Sequence, residues 1–139
     1  MKTVFLFVWM AALALRSSAQ EHWTVVLNNK PLLTAKTEDT ANNIATINDI
    51  KKGALVVTYV PAKPQPGWGR RIAVYDATDN ELYSKETMTL VVPAKSLKQW
   101  HRSSIQQIKI YTWAVPKDPG QAMKVRVRRV HLCTINLHD

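Results

Sequence analysis

Beyond residue 20, apolar side chains recur at every second position in short runs, and helical spacing is scarce. A period of two sends successive side chains to opposite faces of a strand, so this pattern restricts the chain to β-structure with one buried face. The clearest run is Leu55-Val56-Val57-Thr58-Tyr59, whose β-branched and aromatic content favours a pleated surface. His22 to Asn28 alternates, with Trp23, Val25 and Leu27 on one side and Thr24 and Val26 on the other. Asn28-Asn29-Lys30-Pro31 reads as a turn, with Leu32 to Lys36 as the returning strand. Arg71 to Tyr75 and Glu81 to Lys85 form a predicted hairpin around Asp76 to Asn80. Thr87 to Val92, Ile105 to Trp113 and a long Met123 to Leu137 complete the strands.

Two stretches are less regular. Ile44 to Ile50 fits either a helical turn or an irregular strand, and Ser96 to Arg102 fits one or two helical turns. The sum is about eight closely spaced strands with no β-α-β alternation, which predicts an all-β chain. The expected architecture is a two-layer antiparallel β-sandwich, immunoglobulin-like or jelly-roll, with at most one short helix. Arg129 breaks the alternation of the last strand. Keeping Val130 and Leu132 on the core face with Val127 requires an extra residue, so a β-bulge is expected near Arg128–Arg129.

The N-terminus follows different rules. Lys2 precedes an unbroken apolar run from Val4 to Leu15, twelve residues long. A membrane span needs roughly 20 apolar residues, whereas a secretory h-region is this short. Ser17 and Ala19 fit the small-residue cleavage rule, placing the cut before Gln20. Residues 1–19 are therefore expected to be a cleaved signal peptide and 20–139 a single domain of 120 residues. No cysteine adjoins the cut and no second long apolar run follows, so no lipid anchor or membrane tail is expected. Cys133 is the only cysteine, and no Asn-x-Ser/Thr acceptor occurs. Both absences favour a bacterial periplasmic or secreted protein over a eukaryotic one.

Charge narrows the partner class. The chain carries +9, or +7 once Lys2 and Arg16 are removed. Such a balance suits anionic partners: nucleic acid, an anionic glycan or a membrane surface. Alternation along 124–128 puts Val125 and Val127 toward the core and Lys124, Arg126 and Arg128 in an outward row, with Lys109 on the non-core face of the preceding strand. Like charges side by side are unfavourable on a sheet, so acidic neighbours or an external anion must offset them. The loop around Gly67-Trp68-Gly69-Arg70-Arg71 adds a flat ring for stacking and two planar donor forks for carboxylate or phosphate. Tyr111 and Trp113 can extend the aromatic patch. The competing accounts are a solvated outer face and a Trp68 folded back over the end of the sandwich.

Other chemistry is weaker. Cys133 and His138, with His22, His101 and His131 elsewhere, offer ligands for a copper site, but Cys133 falls inside a strand. Asp76-x-x-Asp79-x-Glu81 supplies oxygens for calcium without the spacing of a calcium-binding loop. No nucleophile elbow, zinc-binding helix motif or phosphate-cradling loop is present. The expected protein is an exported, non-catalytic binding or interaction module with a basic face and no cofactor. Its candidate contact residues are Trp68, Arg70, Arg71, Lys109, Lys124, Arg126 and Arg128, and its partner a protein or an anionic polymer such as a glycan. The alternatives are a purely structural subunit of an envelope assembly, and a small copper protein or hydrolase.

Overall fold

The computed structural model describes residues 20–48, 50, 53–122 and 127–138. The signal-peptide expectation for residues 1–19, and Lys124 and Arg126 of the expected basic row, lie outside the described residues.

The chain forms a two-layer β-sandwich. The first sheet contains β1 (His22–Leu27), β2 (Lys30–Ala35), β4 (Leu55–Val60) and β7 (Thr89–Val92), in the order β2-β1-β4-β7. The second contains β3 (Ile44–Ile47), β5 (Trp68–Asp76), β6 (Glu81–Glu86), β8 (Gln107–Pro116) and β9 (Val130–Leu137), in the order β3-β9-β8-β5-β6. Helix α1 (Ala94–Arg102) connects β7 to β8, and a four-residue helical turn, α2 (Pro119–Ala122), follows β8. No helix among the described residues is long and apolar enough to cross a membrane.

Alternation builds the core. Trp23, Val25, Leu55, Val57, Leu90 and Val92 point inward from the first sheet, against Ile72, Val74, Ile108, Ile110, Cys133 and Ile135 from the second. Leu97 and Trp100 of α1 join the same cluster, which is why that segment is amphipathic. β1 and β2 are joined by the two-residue turn Asn28-Asn29, with φ of 50° and 65°. Two successive left-handed residues match the twist of paired strands, and asparagine tolerates that conformation well. Gly53 backs this turn at φ +97°. A Cβ there would sit 2.8 Å from Asn28 Oδ1, so glycine is required on both counts.

The structure amends three expectations. The ambiguous stretch after residue 43 is the ninth strand, β3, which runs parallel to β9, so the sheets are not antiparallel throughout. The last strand begins at Val130; residues 127–129 are not strand, and Val127 is exposed rather than part of the core. The bulge is also further along. Ile110 pairs with Cys133 and Tyr111 with His131, which leaves Leu132 as the extra residue. Arg129 needs no bulge because it precedes the strand.

The bulge has two structural consequences. Leu132 turns inward beside Cys133, and its carbonyl accepts a 2.9 Å hydrogen bond from Trp23 Nε1 in the opposite sheet. His131 and Cys133, two apart in sequence, end on opposite faces. His131 lies outward with Tyr111, and Cys133 lies inward with Ile110.

Candidate binding face

The two outer faces differ in chemistry. On the first sheet, cross-strand pairing aligns Thr34, Thr24, Thr58 and Thr89 in one row across all four strands. The next row is Pro31, Val26, Val56 and Val91. Within these paired strands no outward position carries Lys, Arg, Asp or Glu. On the second sheet the outward positions carry cations and aromatic rings, with two carboxylates on the edge strand β6, Glu86 opposite Arg71 and Glu81 opposite Tyr75. Arg71 of β5 pairs with Trp113 of β8, Tyr75 with Lys109, and Tyr111 with His131 of β9.

Arg129, expected from the sequence at a β-bulge, is not set with its head in open water. Its guanidinium instead lies 3.9 Å from the centroid of the Tyr111 ring and 4.9 Å from that of Tyr75. Asp79, from the β5–β6 turn, accepts a 3.0 Å bond from it. Tyr75 and Tyr111 meet edge to face with centroids 5.6 Å apart. A cation is attracted to the negative face of such rings, so this stack fixes the approach to β9 more firmly than an exposed ion pair does.

Glu38 is a second residue that the sequence did not single out. It lies in the β2–β3 connection, a polar stretch without a distinguishing motif. Asp39 folds that connection by accepting bonds from the Ala41 and Asn42 N–H groups at 3.1 Å each. Asn43 ties it down through a 2.9 Å bond from Thr134 N–H to its carbonyl. Glu38 then accepts bonds from the His131 N–H, at 3.0 Å, and from Arg128. The His131 N–H, and after it Arg128, hold its carboxyl below the usual range against the opposing effect of burial. Arg128 therefore has an acidic partner. Lys109 is half-buried, and among the described residues no carboxylate pairs with it.

Strand alternation divides the remaining candidates. Arg71 faces outward and donates to Ser84 Oγ at 2.8 Å. Arg70 faces the other way. Its guanidinium lies 4.2 Å from the Tyr59 ring centroid, and its Nη1 donates to Thr112 Oγ1 at 3.3 Å. Tyr59 donates to Glu21, and its pKa is pushed up to about 12 by burial and by that carboxylate. Trp68 shares the inward parity of Arg70 and is half-buried. Trp68 and Arg70 thus lie on the inward side of β5, with Arg70 reaching Tyr59 of the facing sheet, while Arg71 and Lys109 belong to the outer face.

Beside Lys109 is a cavity of about 240 Å³, bordered by β3, β8 and β9. His131 borders it and is almost fully buried. Its Nε2 lies 2.8 Å from Thr134 Oγ1, while Nδ1 has no partner. Burial lowers its pKa, and Lys109 acts in the same direction while Glu38 opposes both.

The metal alternatives find their groups otherwise engaged. Asp76 accepts bonds from Thr78 and Asn80 within its own turn, and Asp79 binds Arg129. Cys133 is sealed in the core, with its thiol pKa pushed up to about 12 by burial. Among the described residues no group of three His, Cys, Asp or Glu side chains could hold a metal. Comparison with protein-family models and with curated proteins finds no match for this chain.

Proposed function

We propose that this chain is an exported, non-catalytic binding module that takes an anionic polymer on the outer face of its five-stranded sheet. The observation that supports this most is the separation of chemistries between the two faces. Arg71 and Lys109 project from the side that also presents Tyr75, Tyr111 and Trp113, with the carboxylates Glu81 and Glu86 confined to its edge strand, whereas the outward positions of the opposite strands carry no Lys, Arg, Asp or Glu. Rings spaced among cations suit an acidic glycan, since sugars stack on aromatic faces and carboxylate or sulfate groups pair with Lys and Arg. The threonine and valine rows favour a second reading, in which the neutral face docks onto a larger envelope assembly.

Retention on a sulfated-polysaccharide column tests the first reading. Arg71→Ser plus Lys109→Ser should lower the eluting salt concentration clearly more than Lys63→Ser plus Lys95→Ser, which removes the same charge from exposed positions elsewhere. Equal shifts for the two pairs would overturn the assignment of the face.

A further inference from the structure

We propose that the cavity beside His131 is a site for a single oxyanion group, a carboxylate, sulfate or phosphate, held by Lys109 and the neighbouring hydroxyls. The inference rests on the proposed function and deepens it, since the pocket would seat one acidic group of the polymer. At about 240 Å³ the cavity falls below the roughly 300–1,000 Å³ of pockets for drug-sized ligands, which suits one small group. Thr40, Gln107, Lys109, Tyr111, His131 and Thr134 each bring a group able to donate a hydrogen bond, and none of the lining residues is acidic. Ile44, 45% exposed, supplies an apolar wall. Glu38, the nearby carboxylate, is occupied by Arg128 and the His131 N–H.

His131 gives the site a readout. Protonating its ring is opposed by burial and by Lys109, and favoured by Glu38. Arg128 is paired with Glu38, and Arg129 lies on Tyr111, which meets the His131 ring edge-on. An oxyanion beside Lys109 would offset that ammonium and stabilise an imidazolium. Anion binding and proton uptake at His131 are then linked. Affinity should rise by up to about tenfold per pH unit as acid brings the ring into its titration range.

The experiment is an NMR titration of the His131 ring with sodium sulfate, sodium phosphate and sodium glucuronate, against sodium chloride at equal ionic strength. The three anions separate sulfate, phosphate and carboxylate preference. At least one should shift the ring signals saturably and raise the His131 pKa. Lys109→Met should weaken that binding tenfold or more, and Thr134→Val, of nearly the same shape, should weaken it several-fold. Each variant is first checked by its amide spectrum for an intact fold. If no oxyanion moves His131 more than chloride, or if Lys109→Met leaves the shift unchanged, the pocket is not an anion site. Polymer retention that still depends on Arg71 would then leave the broader reading standing. Saturable small-anion binding without polymer retention would remove the polymer reading and keep the pocket.

Discussion

His131 is placed where protonation works against the fold. Its pKa lies below the ordinary 6.5 because burial and Lys109 disfavour the imidazolium, with Glu38 in partial opposition. The unfolded chain takes up this proton near pH 6.5, whereas the folded chain does so only at lower pH. The unfolded state therefore binds more protons in that interval, and stability falls with acid. The contribution is fully present above pH 6.5 and is lost as pH falls through the folded value. Urea midpoints measured from pH 7.5 to pH 5 should decline, and His131→Gln should flatten the decline. An equal slope in wild type and variant would mean that another group governs this interval. Glu38 titrates in a lower range. Its lowered pKa supplies stability above its ordinary 4.5 that is lost only in stronger acid, so the two contributions separate along the pH axis.

At the scale of elements, the bulge in β9 organises more than its own strand. It turns the Leu132 carbonyl toward Trp23 and makes the one hydrogen bond described between the facing interiors of the two sheets. Trp23 is fully buried, so Trp23→Phe would leave that carbonyl without its donor while keeping an aromatic ring in place. The expected cost is about 1–3 kcal/mol, the penalty for a buried polar group left unpaired. Chemical denaturation measures it, and a loss below about 0.5 kcal/mol, ordinary for a neutral surface change, would show that the carbonyl is satisfied another way. The same strand marks what sequence can disclose. Alternation is a local property, so Leu55–Val60, the β5–β6 hairpin and the outward side of Lys109 could all be read from neighbouring residues. The position of the bulge depends on pairing with β8, and β3 is a strand because β9 runs beside it. Neither fact is written in its own few residues. Glu38 was illegible for a similar reason, since its partners His131 and Arg128 lie about ninety positions away. Arg129 stood out as an irregularity, but the rings that receive it belong to two other strands.

At the scale of the whole molecule, where charge sits matters more than how much there is. The excess of +9 in the full chain is compatible with many arrangements. The sandwich places Arg71, Lys109 and aromatic rings on one face, with Glu81 and Glu86 at its edge, and rows of threonine and valine on the other. Stacked sheets lie about 10 Å apart, and outward side chains add to the separation. The Debye length at physiological salt is about 8 Å. A charge added to the neutral face is therefore more than one screening length from a ligand held on the basic face. Thr34→Glu plus Thr89→Glu lowers the net charge by two, as does Arg71→Ser plus Lys109→Ser. Both threonines are exposed and lie on opposite edge strands, so the new carboxylates would not face each other. If placement governs binding, the glutamate pair should shift elution from a polyanion column only slightly at 0.15 M salt. Its effect should grow as ionic strength is lowered and the screening length approaches the thickness of the sandwich. The serine pair should weaken retention at every salt concentration at which binding is seen. Coincident curves for the two variants across the salt series would mean that the polymer responds to net charge alone, and the division between the faces would then have no part in recognition.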